Sequence, residues 1–205
     1  MTEFFMIFAL LSIWFSIIIT LVVLFGAVHA IIQRFRVGGV NAIKPLPKYP
    51  KVTIIVPAHN EAIVIQDTVY ALLHLDYPKE AMEIRVVADN CSDETFKLAK
   101  AMSDRPEYKD FNSQIIKRTG TGGKAGVLND VLEIATGDWI CVYDADAMPQ
   151  ENALYFLIQK ALEDEENYAA VFGRNKTRNY RQNFLMRCIN LEIITTQKIH
   201  HIGLW

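Results

Sequence analysis

The sequence predicts an α/β fold, a mainly parallel sheet with flanking helices, preceded by one transmembrane helix. Three observations carry this. Phe4 to Gln33 contains no Asp, Glu, Lys or Arg. After it, short β-branched runs alternate with stretches whose apolar residues recur at helical spacing, the pattern of βαβ units. Each early β-branched run ends in a polar cluster, as it should where parallel strands all finish at one edge of a sheet.

The first stretch reads as an anchor over residues 1–33. About 30 apolar residues in helix reach on the order of 43 Å, enough to cross a ~30 Å hydrocarbon core with tilt. A cleaved signal peptide is the competitor, with Val28-His29-Ala30 as its cleavage site. The run is about twice a typical signal core, and the tail before it carries Glu3 and no basic residue. Arg34, Arg36, Lys44, Lys48 and Lys51 follow with no acid among them, which places the rest of the chain in the cytoplasm. The expectation is a single-pass protein of the cell membrane. Residues 34–51, with Gly38-Gly39 and Pro45, Pro47 and Pro50, form a basic, semi-rigid linker.

Val52 to Val56 reads as a buried strand stopped by Pro57. Ala62, Ile65, Val69, Leu72 and Leu73 mark a helix ended at Asp76-Tyr77-Pro78. A strand over Ile84 to Ala88 and a helix over Asp93 to Met102 follow. Ile115-Ile116 marks a third strand, and Val127, Leu128, Val131, Leu132 and Ala135 the apolar face of a third helix. Ile140 to Tyr143 is a fourth strand, Asn152 to Leu162 a fourth helix, and Ala169 to Phe172 one further strand. Residues 52–178 make one domain.

The net charge is −2, from 21 basic and 23 acidic side chains among 205 residues, so bulk nucleic-acid binding is not suggested and no nucleic-acid partner is expected. Cys91, Cys141 and Cys188 are odd in number and lack metal-ligand spacing, and read as inert cytosolic thiols.

The strand ends carry the chemistry. After the first strand come His59, Asn60 and Glu61. Asn60 suits a helix N-cap with Glu61 complementing the dipole, whereas an imidazole can stack on a base. After the second comes Asp89, able to accept hydrogen bonds from a base or sugar, with Ser92 as a cap for the next helix. After the third, Arg118 to Gly126 holds Gly120, Gly122, Gly123 and Lys124 ahead of a helix, either a phosphate cradle or a flexible loop. It is not a P-loop, which needs Gly at position 118 and Ser or Thr at 125. After the fourth, Asp144 and Asp146 share one face by strand periodicity. They suit Mg²⁺ or Mn²⁺ held jointly with phosphates, or else form an acidic turn.

Pro-Ala-His-Asn-Glu, the Asp89 turn, Gly-Gly-Lys-Ala-Gly-Val-Leu-Asn and Asp-Ala-Asp, in this order, resemble the inverting family-2 glycosyltransferases of GT-A (Rossmann-like) fold. The likeness is nearest to the membrane-bound branch of cellulose, chitin, hyaluronan and poly-N-acetylglucosamine synthases, and covers roughly Val52 to Phe172. It implies that His59 and Glu61 line the base pocket, although many relatives carry Thr-Tyr where this chain has Ala58-His59. It also implies that Asp89 reads the uracil edge, that Gly123 and Lys124 lie near the diphosphate, and that Asp144 and Asp146 hold nucleotide and divalent metal. The implied reaction transfers a sugar from a nucleotide-sugar donor, expected to be UDP-linked, to a glycan or lipid acceptor.

The family's acidic acceptor-side motif and its Gln-x-x-Arg-Trp do not follow. Glu151, the Glu163 to Glu166 run and Glu192 lack the right context, so no catalytic base is assigned. The expectation is a donor-binding half, truncated, split or incomplete, with a second chain as one source of the acceptor side. The alternatives are a non-catalytic nucleotide-sugar-binding subunit or degenerate fragment, and more remotely a nucleotidyltransferase. Arg174, Lys176, Arg178, Arg181 and Arg187 form a basic stretch that suits diphosphate, anionic headgroups or plain solvation. Residues 179–205 read as an amphipathic or interfacial helix that opens the acceptor region.

Overall fold

The computed structural model describes residues 2–36, 45–163, 169–173 and 182–189. Residues 45–173 form one unit and the flanking segments another.

In the flanking unit, helix α1 spans Thr2–Arg36, and its Glu3–His29 portion is long and apolar enough to cross a membrane by length and composition. Two of its hydroxyl side chains cost little there. Ser12 Oγ donates to the Ala9 carbonyl and Thr20 Oγ1 to the Ser16 carbonyl, both at 2.8 Å, returning the hydroxyls to the helix itself. Residues 184–189 form a short helix whose Met186 N–H donates to Asn183 Oδ1 at 2.9 Å, an N-cap bond. Arg187 is exposed on it. Arg174, Lys176, Arg178, Arg181, Glu192 and residues 37–44 of the basic linker lie outside the described residues.

The other unit is built on strands β1 (Val52–Ala58), β2 (Met82–Asp89), β3 (Asn112–Arg118) and β4 (Trp139–Val142), in the order β3-β2-β1-β4 and all parallel. Helices α2 (Ile65–Leu73), α3 (Thr95–Ser103), α4 (Gly123–Leu132) and α5 (Ala153–Ala161) connect and cover them. One face of β1, through Val52, Ile54, Val56 and Ala58, joins the larger core with α2, α3 and α5. The other face, through Ile55, packs with Val87 beneath Val127 and Val131 of α4. Covered on both faces, all eight residues of β2 are buried, which is why the central strands read as continuous apolar runs. The edge strands β3 and β4 are only partly buried.

Pro57 does not stop β1; the strand pairs with β2 through Pro57↔Val87 to Ala58↔Ala88. The carbonyls of Lys51 and Ile55 accept from Trp139 and Tyr143 of the β4 segment, so alternate residues from 51 face β4. Pro57 is on that side, past the last β4 pairing at Ile55↔Val142, where its missing N–H breaks no ladder bond. The expected strand over Ala169 to Phe172 is absent from the described residues. Phe172 is 77% exposed and no sheet edge takes the segment as a ladder partner. Helix α4 ends at Leu132, leaving Ala135 in the turn that follows.

That turn is latched to the amino ends of the central strands. Buried Glu83 pairs with Arg85 and accepts Thr53 Oγ1 at 2.6 Å and the Thr136 N–H at 3.0 Å; the Gly137 N–H donates to Thr53 Oγ1 at 3.0 Å. A Cβ at Gly137 would stand 2.4 Å from the Thr53 nitrogen, so the close approach needs glycine. The latch sets where β4 begins and hence where its acidic end emerges.

Candidate functional site

The polar clusters meet at the carboxyl edge of the sheet, where register sets Ala58 beside Ala88 and Asp89 beside Arg118. His59, just past β1, is exposed, and its Nδ1 lies 2.8 Å from the Asp89 carbonyl. A carbonyl only accepts, so Nδ1 carries the proton and the ring is fixed across the β1 and β2 ends.

Asn60 is not the cap of α2, which begins at Ile65. Asn60 is left-handed at φ 55° and its Oδ1 accepts the Ser92 N–H at 2.9 Å, joining the two loops. The Glu61 N–H donates to Thr95 Oγ1 at 2.8 Å, while its carboxylate makes no hydrogen bond among the described residues. Ser92 is not a cap either. The N-cap position of α3 is Glu94, which makes no side-chain cap bond; Asp93 just before it accepts the Thr95 N–H at 3.0 Å on Oδ1 and the Ala62 N–H at 3.1 Å on Oδ2.

Asp89 is buried, and its Oδ1 accepts Arg118 Nη1 at 2.7 Å and Asn90 Nδ2 at 3.2 Å. Asn90, left-handed at φ 49°, also donates to the Gly120 carbonyl at 2.8 Å, stitching β2 to the glycine loop. Gly122, at φ 86°, occupies the N-cap position of α4 without a capping side chain, and Gly123 follows at φ 52°. The first-turn N–H groups are thus left for solvent or an anion, beside the exposed ammonium of Lys124.

Lys124 Nζ lies 2.5 Å from Asp144 Oδ1. Between the two acids, Ala145 is buried and its carbonyl accepts Thr68 Oγ1 of α2 at 2.6 Å. The Asp-Ala-Asp turn is therefore pinned at its middle with both carboxylates exposed. Two exposed hard oxygen donors suit a Mg²⁺ or Mn²⁺ that takes its other ligands from phosphate and water. Among the described residues no group of three or more His, Cys, Asp or Glu side chains assembles that could hold an ion alone.

The profile of the family described as "Glycosyl transferase family 2" matches residues 53–203. The chain belongs to that family. Among the curated relatives of this family-2 chain is the Bacillus subtilis protein named "Probable glycosyltransferase YdaM", 38% identical over 78% of the chain and 38% of the relative. Another is the Beta-monoglucosyldiacylglycerol synthase of Trichormus variabilis, 34% identical over 66% of the chain and 28% of that protein. The family-2 chain thus matches well under half the length of these curated relatives. Among solved structures, a mannosyltransferase from Pyrobaculum calidifontis in complex with GDP-Man and Mn²⁺ superposes with TM-score 0.50 at 30% identity, covering 58% of this chain and 36% of that one. The parallel sheet with flanking helices is the GT-A fold of such enzymes.

The sequence displays the four strand-end loops that meet at this edge but not the parts that hold them: Thr68 under Ala145, the left-handed Asn60 and Asn90, and the guanidinium of Arg118. Arg118 was readable as the residue where a P-loop has glycine, a hint that something large sits there. Cys141 is half-buried on β4, and desolvation pushes its thiol up to about 11, in keeping with an inert cysteine.

Proposed function

We propose that this family-2 chain is a membrane-anchored glycosyltransferase whose domain binds a nucleotide sugar, expected to be UDP-linked, for transfer to a glycan or lipid acceptor. The observation that carries this is the convergence of Lys124 and the pinned Asp144/Asp146 turn beside an uncapped helix N-terminus, with Asp89 and His59 on the neighbouring strand ends. Asp89 would accept from the base edge, with His59 and Glu61 lining the pocket. Lys124 and the N–H groups at Gly123 would take the diphosphate. Asp144 and Asp146 would hold Mg²⁺ or Mn²⁺. Bound there, the ion would neutralise charge developing on the departing diphosphate.

The GDP-Man and Mn²⁺ of the Pyrobaculum calidifontis enzyme support a nucleoside diphosphate sugar and a divalent ion without selecting the base. The diacylglycerol-linked product of the Trichormus variabilis relative supports a lipid acceptor, as does a helix able to cross a membrane. No described residue is assigned the removal of the acceptor proton.

Calorimetric titration of the full chain with UDP, and with GDP in parallel, tests the reading. Mn²⁺ should tighten nucleotide binding in the wild type and not in Asp146→Asn. Equal metal dependence in both proteins would overturn the metal role, and failure to bind either nucleotide would overturn the donor site.

A further inference from the structure

Arg118, the last residue of β3, is where three parts of the edge meet. Its Nη1 donates to Asp89 Oδ1 at 2.7 Å, its Nε to Asp130 Oδ2 at 2.6 Å and its Nη2 to the Thr121 carbonyl at 3.0 Å. Asp89 belongs to β2, Thr121 to the glycine loop and Asp130 to α4. The Arg118 and Asp89 side chains are only 13% and 8% exposed, so this pair is shielded as surface pairs are not.

Two of the loop's glycines are explained by the same group. A Cβ at Gly120 would lie 2.8 Å from Arg118 Cζ, and one at Gly126 would lie 2.8 Å from Nη2 and 2.4 Å from the Thr121 carbonyl oxygen. These positions are small so that the guanidinium can pass. The left-handed pair Gly122 and Gly123 alone serves the turn into the helix.

The geometry points to Arg118 as a positioning residue that couples the two halves of the donor site, the carboxylate facing the nucleoside and the loop facing the diphosphate. The inference rests on the donor reading above. A guanidinium is a rigid planar fork, so a shift of Asp89 on meeting a nucleoside turns the whole plane. Thr121, directly ahead of Gly122-Gly123-Lys124, is bonded to that plane and moves with it. By linkage the diphosphate acts on Asp89 through the same fork. Lysine, a point charge, keeps the pairing with Asp89 and loses the shared plane.

The test measures uridine and guanosine affinity of the full chain with and without saturating pyrophosphate and Mg²⁺. In the wild type, pyrophosphate should tighten the nucleoside that binds by about fivefold or more. Asp130→Ala removes only the Nε arm to α4, at a side chain that is 59% exposed, and leaves the Asp89 and Thr121 bonds in place. In Asp130→Ala the ratio should stay near that of the wild type. Arg118→Lys should lose the ratio and bind the nucleoside more weakly. A wild-type ratio of one, or the same ratio in all three proteins, would overturn the coupling and leave the donor site standing. Failure of the wild type to bind nucleoside and pyrophosphate at all would overturn both.

Discussion

Lys124 Nζ sits 2.5 Å from Asp144 Oδ1, so an acid read as a metal ligand is paired with the lysine read as a diphosphate ligand. Both side chains are more than half exposed. Such a pair contributes at most about 1 kcal/mol, little enough for an incoming nucleotide and ion to exchange the partners. Lys124→Gln should therefore act in opposite directions on two ligands. Mn²⁺ alone should bind a few-fold tighter, and UDP with Mn²⁺ about tenfold weaker, from loss of a charged hydrogen bond. Calorimetry on both ligands decides it; weakening of both would show that Lys124 does no more than hold the loop.

Thr68→Val tests the pin under the acidic turn. The valine is close in shape but leaves the Ala145 carbonyl without its 2.6 Å hydrogen bond. The expected cost is about 1–3 kcal/mol of stability, read from the denaturant midpoint. Mn²⁺-dependent UDP binding should weaken while uridine binding holds, because the Asp144/Asp146 turn loosens and Asp89 does not.

Two glycines of one loop should differ in their response to alanine. At Gly126 the new Cβ meets a backbone oxygen at 2.4 Å, which nothing flexible can relieve. At Gly123 nothing lies within 4 Å, and only the φ of 52° opposes the change. Gly126→Ala should cost about 2–3 kcal/mol and Gly123→Ala about 1 kcal/mol, compared by urea melts. Equal costs would mean that the loop relaxes around the Arg118 passage.

Acid should unlatch the opposite end of the sheet. Burial alone would raise the Glu83 pKa, but hydrogen bonds from Thr53 and Thr136 and the Arg85 charge outweigh it and hold the carboxyl below its ordinary value of 4.5. A lowered folded-state pKa contributes stability that is complete above the unfolded value and is lost as pH falls through the folded one. The domain should therefore lose stability below about pH 4.5 as Glu83 protonates. Glu83→Gln should cost about 3 kcal/mol at pH 7 by stranding buried Arg85, and should flatten the acid limb of a stability–pH series. An unchanged acid limb would assign it to other carboxylates.

What the sequence displayed was periodicity. Val52 to Val56 and Ile84 to Ala88 read as buried strands because both faces of β1 and β2 are covered, and the polar residues after them fall at one edge by topology alone. Local chemistry misled where tertiary partners decide. Asn60 and Ser92 have cap-like side chains, yet each is spent bridging two loops about 30 residues apart. Pro57 looks like a strand breaker until the side facing β4 is known to have no ladder left. Ala169 to Phe172 has strand composition but no partner strand, and partner availability is not written in the segment itself. Thr68 and Arg118 look like ordinary members of a helix and a strand, because their importance is a matter of which backbone or acid lies opposite.

The order β3-β2-β1-β4 has a consequence for how the protein is made. Strand β1 meets β2 after one short helix, but its other side stays open until β4 arrives; the Lys51 N–H finds Asp138 only 87 residues later. At about 5–20 residues per second of synthesis, that leaves an apolar strand half-paired for on the order of 4–17 s. Long-range parallel pairing is also the slow kind. The strand that completes the sheet leads directly into the turn of Asp144 and Asp146, so a nascent chain owns Asp89 and Lys124 before it owns the acids. Ligand competence and the last act of folding are then the same event, and nucleotide or ion added during refolding should capture only chains that have already zipped β4 against β1.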